Sequence, residues 1–161
     1  MRAAVALVVV VLAVLCRPAA SEEWTTFVEP NFGTRLEVPT EMFSVHEGPS
    51  YRGTGEQYTT KDGRAALAVY SLQNTRNDTP RTYLQQNNLV PRRLIDYMRV
   101  TGSFFAISAA KEGMIYYSRC NFSNRSGTIH CFDLKYPAGE KRSWDAIVTR
   151  ISRSLEPLDH G

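Results

Sequence analysis

Residues Tyr116–Leu134 read YYSRCNFSNRSGTIHCFDL, two runs of alternating apolar and polar side chains around a turn-forming SNRSG segment. A four-residue loop, Asn124–Gly127, puts glycine where a left-handed backbone is easiest and places Cys120 directly opposite Cys131. Counting back from that loop makes the two cysteines a non-hydrogen-bonded pair, the closer kind of cross-strand neighbour. The stretch therefore predicts a β-hairpin whose cysteines are near enough to form a disulfide.

The register of this hairpin also sorts its other side chains onto two faces of a sheet. Both faces are partly apolar, so the hairpin is expected to lie in the middle of the sheet and to be covered on both sides. One face carries Met114, Tyr116, Cys120, Phe122, Ile129 and Cys131, and the other carries Ile115, Tyr117, Phe132, Leu134 and Tyr136.

Further strands and two helices are predicted on either side of the hairpin. Asn77–Pro80 is typical of a helix start, and an apolar stripe from Trp144 to Leu155 at helical spacing predicts a closing amphipathic helix. Asp62-Gly63 predicts a two-residue type I′ turn between two strands. The predicted class is α+β, an antiparallel sheet with helices packed on both faces as an α/β/α sandwich. The other predicted strands are residues 24–29, 34–38, 56–61, 64–72, 94–100 and 104–111.

The amino terminus has the pattern of an export signal. A charged start is followed by an apolar run from Ala3 to Cys16 and by small residues, which predicts a signal peptide over residues 1–21. Residues 22–161 then form one globular domain, and a periplasmic or secreted location is expected. An uncleaved anchor and lipidation of Cys16 are the alternatives to cleavage.

The charge balance of the mature chain argues against nonspecific nucleic-acid binding. Removing Arg2 and Arg17 from the 19 Lys and Arg leaves 17 against 16 Asp and Glu, a net charge of +1. Nonspecific nucleic-acid binding needs a net basic face. We therefore expect no nucleic-acid partner, and no stable membrane insertion once the signal is removed.

The two mature cysteines are expected to form a structural disulfide rather than a reactive centre. His130 precedes Cys131, but adjacent strand residues point to opposite faces, so this histidine cannot easily activate the thiol. The sequence contains no C-x-x-C, no spaced Cys/His set and no nucleophile elbow or phosphate-binding loop. No catalytic residue, cofactor or metal ligand is expected.

A glycine-rich segment, Gly48–Gly55, is predicted to be a loop and is the candidate binding surface. It carries Tyr51 and Arg52, and an aromatic side chain beside an arginine is typical of protein interfaces.

The order of motifs resembles the PsbP/Mog1-like α/β/α superfamily and small exported alphaproteobacterial proteins. The resemblance is carried by Trp24, the turn Pro30–Gly33, the Asp62-Gly63 hairpin and the closing helix that begins near Trp144. It implies an accessory or binding role, since the known members of that superfamily act mainly in that way. No functional residue is carried over from it.

The leading hypothesis is therefore an exported, disulfide-stabilised, non-catalytic module that binds a protein partner. Two alternatives stay open at this point. One is a hydrolase or redox enzyme whose site is assembled from distant residues, and the other is a binder of a small ligand or a metal.

Overall fold

The computed structural model describes residues 23–87 and 90–158. The expected signal peptide and Cys16 lie outside these residues. Within these residues, ten strands, two α-helices and two short 3₁₀ turns follow one another. In order they are β1 (Trp24–Glu29), β2 (Thr34–Pro39), β3 (Val45–Pro49), β4 (Thr54–Thr59), β5 (Ala66–Gln73), α1 (Pro80–Asn87), a 3₁₀ turn (Arg92–Leu94), β6 (Ile95–Val100), β7 (Phe104–Lys111), β8 (Met114–Ser123), β9 (Thr128–Pro137), a 3₁₀ turn (Ala138–Glu140), α2 (Lys141–Ser154) and β10 (Glu156–Pro157).

The strands form two antiparallel sheets, whereas the sequence predicted one. The large sheet has seven strands in the order β3-β4-β5-β9-β8-β7-β6. The small sheet has the order β1-β2-β10, because the chain end returns to pair Glu156 with Arg35. Nothing in the local pattern of β1 and β2 reveals this distant pairing.

The cysteine hairpin has the expected register and position. Residues 124–127 form the loop between Ser123 and Thr128, and Gly127 has a φ of 65°. Cys120 pairs with Cys131 at a Cα–Cα distance of 4.2 Å, and a disulfide joins them. The hairpin strands β8 and β9 are both internal in the seven-stranded sheet, as their two apolar faces predict.

The prediction of a loop over Gly48–Gly55 is wrong at both of its ends. Gly48 and Pro49 belong to β3, and Thr54 and Gly55 belong to β4. The strands pair across a bulge between His46 and Gly48, where Gly48 has a φ of 98°. Glycine permits this conformation, so its presence here marks a bulge in a strand rather than a loop.

The turn at Asp62-Gly63 is longer than predicted. The amide of Thr60 donates to the carbonyl of Ala65 over 3.0 Å, which closes a four-residue loop around the expected centre. A type I′ turn needs a positive φ at both central residues, and only Gly63 has one, at 69°. The Asp62 carboxylate instead accepts hydrogen bonds from the Thr60 hydroxyl and the Arg64 amide.

Two hydrophobic clusters hold the fold together, one on each face of the large sheet. On the face that carries the disulfide (the disulfide face), Tyr83 of α1 packs against the rings of Phe105 and Phe122 at 6.1 and 5.7 Å. On the other face (the α2 face), the apolar stripe of α2 packs with β2 over Phe132 and Leu134. The stripe is the predicted one, and Ile151 at its centre is fully buried.

Helix α1 begins where the sequence predicted and is short. Pro80 is its first residue, and the Thr79 hydroxyl accepts a hydrogen bond from the Thr82 amide at 3.2 Å. The helix ends at Asn87, after eight residues. An eight-residue helix is about 12 Å long, so α1 covers only part of the disulfide face.

Candidate functional site

A depression on the disulfide face, beyond the end of α1, is the candidate site. Its floor includes the small side chains of Ala66 and Ala68, and its walls include Tyr51 and Tyr116. The depression has a volume of about 270 Å³. We call it the sheet trough. It exists because alanines on β5 leave the sheet surface low at a place that no helix of residues 23–87 and 90–158 covers.

A hydrogen-bond network centred on Asp133 closes the trough at the end nearest α1. Oδ2 of Asp133 accepts from the Arg52 guanidinium at 2.9 Å and from the Tyr70 hydroxyl at 3.1 Å. Oδ1 accepts from the Ser118 hydroxyl. Ser118 lies opposite Asp133 in the hairpin register, so the fold brings this pair together directly.

Arg52 is held inward by this network rather than displayed to solvent. Its side chain is 15% exposed and that of Asp133 is 19% exposed. A second guanidinium nitrogen donates to the Asn87 carbonyl at 3.1 Å, which ties the loop before β4 to the end of α1. The guanidinium also lies 5.6 Å from the centre of the Tyr70 ring.

The charges of the network shift the acidity of its members. Burial opposes the positive charge of Arg52, but Tyr70 and Asp133 outweigh that effect, so the pKa of Arg52 is raised. Burial, and then the neighbouring Asp133 carboxylate, raise the pKa of Tyr70 well above its usual range. Arg52 is therefore a cation paired with Asp133, and Tyr70 stays a neutral donor.

The rim of the trough is aromatic and charged. Tyr51 is 69% exposed, more than any other large hydrophobic side chain of residues 23–87 and 90–158. Lys135 lies with its Nζ 5.9 Å from the centre of the Tyr116 ring. Lys111 and Glu47 complete the charged part of the lining, and Glu47 accepts a hydrogen bond from Thr59 at 2.8 Å. Such a rim can contact a ligand through ring faces and through charges of both signs.

The structure separates the residues that the sequence singled out. Tyr51 and Arg52 are neighbours in the chain, yet Tyr51 is exposed at the rim and Arg52 lies inside the network. Cys120 and Cys131 are buried beneath α1, with 1% and 0% exposure, and contribute to the core. Cys120 shares with Arg52 the lining of a small cavity of about 30 Å³.

His130 lies on the α2 face, away from Cys131, as the alternation predicts. Its Nδ1 lies 2.7 Å from the Thr34 hydroxyl, in a buried group that also contains Ser71 and Glu29. Its Nε2 is buried and has no hydrogen-bond partner in the described part of the chain. Burial lowers the pKa of His130, and the Glu29 carboxylate offsets part of that shift.

Sequence reasoning missed Asp133, Tyr70 and Ser118 as members of a site. The register that pairs Cys120 with Cys131 also pairs Ser118 with Asp133 on the same face, so that half of the network could have been found. Tyr70 could not, because its partner strand is known only once β5 is placed beside β9.

Two kinds of feature are absent from residues 23–87 and 90–158. No group of three or more His, Cys, Asp or Glu side chains is placed to hold a metal ion. No helix within those ranges is both long enough and apolar enough to cross a membrane.

Comparisons with known proteins relate the chain to others by fold. No protein-family model matches the chain, and no curated protein matches it in sequence. A solved structure does match, the solution structure of cyanobacterial PsbP (CyanoP) from Synechocystis sp. PCC 6803. The alignment covers 89% of this chain and 97% of that one, with 10% sequence identity and a TM-score of 0.59. The likeness that the motifs indicated is thus confirmed at the level of architecture: the chain has a PsbP-like fold.

Proposed function

We propose that this protein is an exported, non-catalytic binding module that holds an extended segment of a partner protein in the sheet trough. The observation that carries the proposal is the uncovered trough itself, with the exposed ring of Tyr51 at its rim. Aromatic residues are enriched at the centres of protein interfaces, where a few contacts supply most of the affinity.

The state of Asp133 favours binding over catalysis. Both of its oxygens already accept hydrogen bonds, and a paired arginine neutralises its charge. These bonds occupy three of the roughly four lone-pair positions of the carboxylate, and a general base needs a free lone pair within reach of the proton that it removes. Asp133 is therefore better suited to fixing the loop of Arg52 against α1, which keeps the trough in one shape for its partner.

The lining of the trough indicates the character of the segment that would bind. The alanine floor accepts one apolar side chain of moderate size, and the Tyr51 and Tyr116 rings can close over it. Lys111 and Lys135 favour a carboxylate next to that side chain. The trough is small for a drug-sized molecule, whose sites measure about 300–1,000 Å³, but it is large enough for one or two residues of a chain.

Two further observations support the exported accessory role. Disulfides persist in oxidising compartments, and this chain joins Cys120 to Cys131. The PsbP-like fold fits an accessory module. We also infer the α/β/α sandwich that the sequence predicted. Along the central strands, the residues that pack with α1 alternate with those that pack with α2, so the two helices belong to opposite faces of the sheet.

Selection from a random peptide library tests the proposal. The wild-type protein is used for panning, and the affinity of the selected peptides is measured by isothermal titration calorimetry. Tyr51→Ala should weaken binding by about tenfold or more, as expected for an aromatic residue at the centre of an interface. Val28→Ala is the control, because Val28 is a 42% exposed hydrophobic residue on β1 that lines neither the trough nor the cleft on the α2 face.

The proposal fails if folded Tyr51→Ala and Tyr116→Ala variants both retain the wild-type affinity. It also fails if the library yields no peptide that binds in the trough.

A further inference from the structure

A second cleft lies on the α2 face, where the sheet extends beyond α2 toward its β6 edge. Its volume is about 650 Å³, and its walls are β6 on one side and α2 on the other. Its floor is the strand β7, with the small side chains of Ala106 and Ser108. This cleft is on the opposite face from the sheet trough and shares no residue of the Asp133 network.

The register arranges the floor of the cleft in two rows across three strands. Ala106 lies between Arg99 of β6 and Arg119 of β8. Two residues along, Ser108 lies between Tyr97 and Tyr117. The two rows are neighbours on one face, so an arginine row and a tyrosine row stand side by side.

The two arginines of the first row already converge. The Arg119 guanidinium lies 4.6 Å from the centre of the Phe104 ring, and that of Arg99 lies 5.3 Å from the same ring. Arg119 is also oriented by two hydrogen bonds, from Nε to Asn121 Oδ1 at 3.0 Å and from Nη1 to Ser152 Oγ at 3.1 Å. These bonds use two of its five N–H groups, so three donors remain for a ligand.

No carboxylate of residues 23–87 or 90–158 forms an ion pair with Arg99 or Arg119. The contrast with Arg52 is direct, because Arg52 is also partly buried but pairs with Asp133 at 2.9 Å. Burial lowers the pKa of Arg119; Tyr117 opposes this shift, and the like charge of Arg99 adds to it. Two like charges held together without an anion are unfavourable, and a bound anion would relieve that repulsion.

The remaining charges of the cleft leave this row free to bind. Asp145 pairs with Lys141 at 2.7 Å on α2. Arg153 adds a further cation to the lining, and Asp96 adds one exposed carboxylate. The arginine row therefore lies in a cleft with more cations than carboxylates.

We propose that this cleft binds a small aromatic anion, a molecule with a carboxylate or phosphate group attached to a planar ring. The anionic group would lie over Ala106 and accept hydrogen bonds from Arg119 and Arg99, since guanidinium forks match both groups. The ring would lie over Ser108 between Tyr97 and Tyr117, in contact with their rings. The cleft volume is within the range of small-molecule sites.

Calorimetric titration with phenyl phosphate and with benzoate tests the proposal. Benzyl alcohol, which has the ring without the charge, and inorganic phosphate, which has the charge without the ring, are titrated for comparison. We expect the two aromatic anions to bind more tightly than either of those probes. Arg99→Gln should weaken their binding by about tenfold or more, since a charge-assisted hydrogen bond is lost. Arg99 is exposed, so this variant is expected to fold.

Arg150→Gln is the matched control, because Arg150 also lies over an aromatic ring, 4.1 Å from the centre of Trp24, but is paired with Glu37. It should bind the probes as the wild type does.

Any of four results would overturn the proposal. One is no measurable binding of either aromatic anion at millimolar concentration. Another is equal affinity for phenyl phosphate and inorganic phosphate. A third is equal loss of affinity in the Arg99 and Arg150 variants. The last is binding of an acidic peptide without binding of the small anions, which would favour a protein ligand.

Discussion

Reduction of the Cys120–Cys131 disulfide should lower the free energy of unfolding without changing the fold. The bond closes a short loop, with a sequence separation of 11, within a hairpin whose register the backbone hydrogen bonds already define. Its main effect is therefore on the unfolded chain, whose freedom it restricts. The chain-entropy relation for a loop of this length gives about 3 kcal/mol.

The double variant Cys120→Ala/Cys131→Ala should lose more stability than reduction does. Both sulfurs are buried, in a cluster that includes Phe105 and Tyr83, and their removal leaves unfilled space as well as a free loop. Losing the volume of a buried atom or two costs about 1 kcal/mol in addition. For a domain of this size, a loss of about 3 kcal/mol corresponds to a fall of about 10 °C in Tm.

Urea unfolding followed by circular dichroism measures both effects. Oxidised wild type, wild type reduced with an excess of dithiothreitol, and the double alanine variant are compared in the same buffer. The reduced protein should also show a larger m value, because its unfolded state is less compact. A loss below about 1 kcal/mol on reduction, with an unchanged m value, would refute the entropic reasoning.

Two further predictions concern a buried histidine and a close backbone contact. Burial lowers the pKa of His130 in the folded state, so the unfolded chain takes up a proton first as the pH falls. The free energy of unfolding should therefore decrease as the pH is lowered from 8 to 5.5. His130→Gln should flatten this pH dependence in urea titrations, and parallel profiles for the two proteins would contradict the assignment. Gly55→Ala should destabilise by about 1–3 kcal/mol, because a Cβ there would lie 2.0 Å from the Val69 carbonyl oxygen. Gly102→Ala, where nothing lies within 4 Å of the added Cβ, should have little effect in the same melting experiment, and equal losses would exclude the contact as the cause.

Elements with a strong local signal could be predicted from the sequence. The cysteine hairpin is one, because a short loop with glycine at Gly127 determines the register of both strands. The closing helix is another, because its buried residues recur at helical spacing. In each case the deciding interactions join residues that are close in the chain.

Elements without such a signal were missed or misplaced. Strand β3 has an almost wholly exposed pattern and contains glycine and proline, so no strand was predicted there, and its last two residues fell within the predicted loop. Strand β10 has only two residues and exists because β2 offers it an edge. The small sheet depends on that long-range pairing, which leaves no periodicity in the sequence.

The same division applies to the candidate sites. Local alternation determines that His130 and Cys131 point to opposite faces, and the length of the loop at residues 124–127 determines that the two cysteines meet. Tyr51 and Arg52 are adjacent in the chain, and their separate roles depend on Asp133, which is 81 residues from Arg52. The row of Arg99, Ala106 and Arg119 likewise forms only when three strands are placed side by side. Side-chain period and turn length act over a few residues and can be read from the sequence, whereas strand order and the length of sheet that a helix covers depend on burial summed over the whole chain.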